Sequence, residues 1–197
     1  MAHVVKVQLV RTTHYRGKRL EKLKESASHF EQSLNSRSLE EKVLAYEARG
    51  KNRFLRSGGL GNAEVLRLLR AGPATRREGR HRIIDLHLEL DRSDGEGVYG
   101  YTYPNDPVIY TYQSFFDGYG PAWMAAHLAH EYAHKVGFKH SPDRKPGRPY
   151  TVPYAFGEIV YDVCAEELGD ETASIEATPG RGAKRRGVIQ KIIDMFT

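Results

Sequence analysis

Two kinds of periodicity divide the chain. Near the N-terminus, Val5, Val7 and Leu9 alternate with Lys6 and Gln8, the spacing of a strand with one buried face. Leu20, Leu23, Ala27, Phe30 and Leu34 then recur at helical intervals, which puts all five on one face of a long amphipathic helix ending near Asn35. Alternation returns cleanly between Arg82 and Leu90, where Ile84, Leu86, Leu88 and Leu90 oppose Asp85, His87 and Glu89. His87 lies on the polar face of that strand and reads as a surface histidine, not a ligand.

The segments between are marked by caps and breakers. Ser38–Glu41 has the pattern of a capping box for a second helix through Leu39–Ala48. Asn62 is placed to cap a shorter helix over Ala63–Ala71, with Gly72 at its end. Gly97–Phe116, rich in tyrosine and β-branched residues, predicts two strands joined in a hairpin at Pro104–Pro107, the tyrosines serving mainly to pack. Trp123–Val136 contains no breaker and predicts a helix with Pro121 in its first turn. A Pro- and Gly-rich loop leads to another helix over Tyr154–Leu168, closed by Gly169. Residues 170–187 have the composition of a linker, and Val188, Ile189, Ile192, Ile193 and Phe196 form a short apolar face behind it.

Composition narrows the class. The 197 residues, 40% hydrophobic and 28% charged, suffice for one domain with a substantial core, or one domain plus a tail. No stretch approaches the roughly 18 apolar residues of a membrane-spanning helix. The N-terminus lacks the layout of a secretory signal. A single cysteine, Cys164, excludes an internal disulfide and a multi-cysteine metal cluster, which favours the cytoplasm while remaining compatible with a disulfide-free exported enzyme. The formal charge is +5, and Gly180–Gly187 carries four cations and no acid. That run reads first as a solvated basic tail and second as a contact for nucleic acid or another anionic surface.

The chemistry concentrates in His130–His140, His-Glu-Tyr-Ala-His-Lys-Val-Gly-Phe-Lys-His. His130 and His134, four apart on a helix, share one face and can reach one ion. Catalytic zinc takes three protein ligands and keeps a fourth position open. Gly137 can take the left-handed conformation that ends a helix, and the turned chain then carries His140 back as a third imidazole. Glu131 lies about 100° further round, beside the metal and outside its shell, where its carboxylate can accept a proton from the attacking water and pass it to a leaving amine. Glu158, on the following predicted helix, is the rival third ligand. His127, one turn before His130, is expected to have a structural or cleft-rim role. His3, His14, His29 and His81 show no ligand spacing.

His130–His140 matches the pattern HExxHxxGxxH at every fixed position and so resembles the metzincin clan of zinc metallopeptidases. The resemblance implies Zn2+ on His130, His134 and His140, with Glu131 as general base and acid. It also implies an α/β, zincin-like fold: a small twisted mixed sheet with an antiparallel edge strand, packed on an active-site helix and a backing helix. Gly97–Tyr103 is the expected edge strand, and a peptide substrate would bind along it by strand addition. Metzincins also carry a methionine in a tight turn beneath the metal. Here Tyr150–Phe156 sits where that turn belongs, with Val152 or Pro153 in place of the methionine. By the same resemblance, Tyr154 is a candidate to bind the metal or to donate to the oxyanion.

The expectation is therefore a metzincin-like catalytic domain over residues 1–169, acting as a zinc-dependent endopeptidase, followed by a basic linker and short apolar helix over 170–197. Two alternatives stand beside it. One is a nucleic-acid-associated protease that acts on DNA-bound proteins through Gly180–Gly187, and the other is a non-catalytic zinc- or peptide-binding module.

Overall fold

The structure, a computed structural model, describes residues 4–71, 82–93, 95, 98–140 and 146–168. The expected linker, the basic run at Gly180–Gly187, the apolar C-terminal face, and the closing glycines Gly72 and Gly169 lie outside the described residues.

The fold is mixed α/β. Four strands, β1 (Val5–Thr13), β2 (Arg82–Asp91), β3 (Gly100–Thr102) and β4 (Val108–Tyr112), form one sheet in the order β1-β2-β4-β3. β1 pairs parallel to β2 and β2 parallel to β4, while the short β3 closes the sheet as an antiparallel edge. Ile84, Leu86, Leu88 and Leu90 of β2 are all buried and Asp85, His87 and Glu89 are not, as their alternation requires. Between Leu9 and Arg11 the register of β1 against β2 slips, and Val10 at the slip is exposed.

Helix α1 (Lys18–Asn35) buries Leu23, Ala27, Phe30 and Leu34 on one face, with Leu20 partly covered. Its last turn also supports the outer edge of β1. Asn35 accepts from the Val5 amide through Oδ1 at 2.8 Å and donates through Nδ2 to the Val5 carbonyl at 2.8 Å, and Glu31 accepts from the Val7 amide at 2.6 Å. These side chains supply partners that an edge strand otherwise lacks. Phe30 meets Tyr132 of α5 (Pro121–Val136) and Phe156 of α6 (Val152–Leu168) edge-on, at 5.6 and 6.3 Å between ring centroids. The core therefore lies where α1, α5 and α6 meet under the sheet.

Several local expectations need correction. The cap of α2 (Arg37–Leu44) is Ser36, whose hydroxyl accepts from the Leu39 amide at 3.0 Å. Ser38, the expected cap, instead donates to Glu166 at 2.9 Å. Because α2 ends at Leu44, Tyr46 is free of the helix and stacks on Phe54 at 4.2 Å. Asn62 begins α3 (Asn62–Ala71), but its Nδ2 donates to Leu44, Tyr46 and Asn52, so its side chain ties together neighbouring loops and does not cap. The hairpin at Pro104–Pro107 forms, yet its second strand stops at Tyr112, and Gln113–Phe116, expected as strand, belongs to the short helix α4 (Gln113–Gly118), which buries Phe115 and Phe116.

Candidate metal centre

α5 is the central helix of the site, and Ala122, Met124, Ala125, Ala126, Leu128, Ala129, Tyr132 and Ala133 along it are buried. Pro121 occupies its first turn, where a missing amide costs nothing. Its far end is closed by Gly137 at φ 110°, a conformation that glycine adopts without strain. The Gly137 amide donates to the His134 carbonyl at 3.0 Å and the Phe138 amide to the Ala133 carbonyl at 3.0 Å, the paired bonds of a Schellman motif. Phe138 is thereby driven into the core.

This turn also sets the chemistry of His134. Its Nδ1 donates to the Phe138 carbonyl at 2.9 Å, since a carbonyl can only accept. The lone pair is left on Nε2, the tautomer required of a metal-ligating histidine oriented by an outer-shell carbonyl.

His130, His134 and His140 come together as the sequence predicted. One ligand atom from each lies within 4.8 Å of the others, and the ring centroids are 4.8–5.5 Å apart. A tetrahedral shell with zinc–nitrogen bonds of about 2.0–2.1 Å spaces its nitrogens roughly 3.4 Å apart, so the cluster has the compass of one such shell in a slightly open form. The donor set, three imidazoles and no thiolate, suits zinc. Burial lowers the pKa of His130 well below the ordinary value, with His134, His140, His127 and Arg148 adding to the effect, and burial likewise lowers that of His134. Both are neutral imidazoles at physiological pH, the form that binds a metal.

Glu131 is 5% exposed and follows His130 on the same helix. Desolvation pushes its carboxyl up to about 8, with the Lys135 ammonium pulling the other way. A divalent cation among the histidines would favour the carboxylate form. Lys135 also donates to the Asp106 carbonyl, which ties the hairpin turn to α5.

Tyr154 joins the cluster. Its ring lies 4.6 Å from that of His130 and 4.9 Å from that of His140. The expected turn at Tyr150–Phe156 is instead the end of a short 3₁₀ segment, Arg148–Tyr150, then the extended residue Thr151 and the first turn of α6, so Tyr154 is presented from a helix. Val152 and Pro153, the residues in the methionine's place, are buried.

Glu158 lies outside the three-histidine cluster. It is partly buried one turn further along α6, and desolvation together with the neighbouring Asp162 raises its carboxyl to about 7. His127 is not at a rim: it is fully buried, its Nε2 3.1 Å from the Thr111 hydroxyl of β4. Gly100 of β3 lies directly over it, since a Cβ there would come within 2.6 Å of His127 Cε1. The edge strand and α5 are thus in close contact at that point.

Two residues of the site carry almost no signal in the sequence. Gly157 lets α6 approach α5, and its only signal is a lone glycine in an otherwise helix-forming run. Arg148 sits over the Tyr154 ring, its guanidinium carbon 5.1 Å from the centroid, and nothing in its sequence context distinguishes it from the cations nearby.

No family model matches the chain, and no curated protein or solved structure matches it either.

Proposed function

We propose that this protein is a zinc-dependent endopeptidase of metzincin-like design. The observation that carries the reading is the convergence of His130, His134 and His140 to within 4.8 Å, with Glu131 beside them and the Tyr154 ring against two of them. A helical His-x-x-x-His pair alone is weak support. The added turn at Gly137, the return of His140 and the tautomer-fixing bond of His134 make a site that is difficult to explain as packing.

Zinc, when bound to the three imidazoles, supplies a Lewis acid that polarises the scissile carbonyl and makes water acidic enough to react near neutral pH. Glu131 accepts the proton of the attacking water and delivers it to the departing amine, which needs a carboxylate close to the metal but outside its shell. The Tyr154 phenol, whose ring lies against those of His130 and His140, would donate to the oxygen that gains charge as the carbonyl carbon becomes tetrahedral. β3, the antiparallel edge of the sheet, offers backbone groups to an extended peptide.

The test is cleavage of a diverse peptide mixture by zinc-loaded wild type and by Glu131→Gln, with folding and metal content matched. Cuts made by the wild type alone support the reading. Equal cleavage by both, or none by a wild type that holds one zinc, overturns it.

A further inference from the structure

Arg148 begins the 3₁₀ turn that leads into α6, and its guanidinium carbon lies 5.1 Å from the centroid of the Tyr154 ring. That ring in turn touches the rings of His130 and His140, so a fixed positive charge stands two contacts from the centre of the cluster. Its field contributes to the lowering of both His130 and His134.

A cation in this position needs explaining, because it repels any metal the histidines hold. Among the described residues no carboxylate pairs with Arg148, unlike the half-buried Arg70, which pairs with Glu40. Its Nε is fully buried without a hydrogen-bond partner. Stacking on Tyr154 gains about as much as one orphaned buried N–H loses, so packing alone does not account for a charge held here. An arriving carboxylate would account for it: the planar guanidinium fork matches a carboxylate in two parallel hydrogen bonds, and the anion would supply the missing countercharge to a side chain that is only half-buried.

We infer that Arg148 is a specificity-determining residue that receives a carboxylate of the bound peptide, so that the preferred substrates are acidic close to the scissile bond. The inference rests on the peptidase reading above and deepens it. The carboxylate can come from an Asp or Glu side chain or from the peptide's own C-terminus.

Matched octapeptides carrying one Glu or one Gln at each position in turn, each with a free or an amidated C-terminus, separate these sources. With zinc-loaded wild type, kcat/KM is expected to be about 10- to 100-fold higher for Glu than for Gln at one or two positions near the cut, or for the free over the amidated terminus. Arg148→Gln should abolish that preference mainly through KM, with zinc bound no more weakly than by wild type. Equal cleavage of charged and neutral partners by the wild type overturns the inference, as does a preference that survives in Arg148→Gln. The wild-type comparison can overturn the inference even if that variant does not fold, and Arg148→Lys, which keeps the charge, then tests the residue itself: it should retain part of the preference, and a preference left at full strength overturns the assignment to the guanidinium fork.

Should the wild type cleave nothing, the peptidase reading fails and binding decides the role of Arg148 separately. Calorimetry with the same peptides on zinc-loaded Glu131→Gln protein then asks whether charged peptides bind at least 10-fold more tightly than neutral ones, and whether adding Arg148→Gln removes the difference. Equal binding overturns the assignment.

Discussion

Gly157 of α6 lies against the backbone of Ala126 in α5: a Cβ at residue 157 would stand 2.9 Å from the Ala126 carbonyl oxygen and 3.5 Å from His130 Cβ. The two helices can be this close only because one has no side chain at the crossing. In an open helix, Gly→Ala gains about 1 kcal/mol from propensity, but forcing a methyl into packed backbone costs about 1–3 kcal/mol. The steric term should win. Gly157→Ala is expected to lower the denaturant midpoint and to weaken zinc binding, because His130 and Tyr154 flank the contact. An unchanged or raised midpoint would mean that the helices separate freely.

Gly137→Ala tests the turn that returns His140. Nothing lies within 4 Å of a Cβ there, so the effect is confined to the backbone, held at φ 110°. Holding a non-glycine residue in that region costs about 1–3 kcal/mol. Loss of the turn also loosens the Phe138 carbonyl from His134, and removing such an outer-shell partner typically weakens metal binding about 10- to 100-fold. Chemical denaturation and competitive zinc titration together read both effects.

His127 predicts a pH dependence of stability separate from activity. Burial lowers its pKa to about 3 from an ordinary value of 6.5. Below pH 6.5 the unfolded chain therefore takes up a proton that the folded protein refuses, and stability falls progressively until about pH 3. At pH 5 the loss amounts to about 2 kcal/mol. His127→Gln, which can still reach the Thr111 hydroxyl, should show a shallower decline than wild type between pH 6.5 and 4 in metal-free protein. Parallel curves would show that His127 takes up its proton without unfolding.

The competition for third ligand is decided by metal affinity. His140→Ala should weaken zinc binding by more than the 10- to 100-fold typical of an outer-shell loss, while Glu158→Ala should leave it within a few-fold. Stripping zinc with a chelator should lower the melting temperature of wild type, because a ligand that binds only the folded state stabilises it. The reverse order of the two variants would transfer the ligand role to Glu158.

Tyr154→Phe separates packing from chemistry. The ring contacts with His130 and His140 are kept, so folding and zinc affinity should hold. If the hydroxyl stabilises the oxyanion, kcat falls about 100-fold or more with KM little changed. Full turnover would leave Tyr154 a wall of the site.

Much of this architecture was legible in the residues themselves. The period of Ile84, Leu86, Leu88 and Leu90 has one buried solution, and the spacing of Leu23, Ala27, Phe30 and Leu34 has one helical face. His130, His134, Gly137 and His140 are local in sequence, and the geometry of a helix with a left-handed stop carries the imidazoles to one point without help from distant parts of the chain. Where a local pattern competed with tertiary partners, the pattern gave way. Ser38 carries the residue type of a cap but finds Glu166, 128 positions away, leaving Ser36 to cap. Gln113–Phe116 looks like strand until burial of Phe115 and Phe116 draws it into a helix.

Tertiary structure alone decided what surrounds the histidines. Gly157 sits opposite Ala126, Gly100 over His127, and Arg148 over a tyrosine that itself leans on two of the clustered histidines. None of these pairings follows from spacing, because each joins elements whose relative position is set by packing of the whole core. Local sequence determines which side chains can share a helix face or a turn. The approach of one backbone to another, and the charge that results at their junction, exists only once α5, α6 and the sheet have closed on each other.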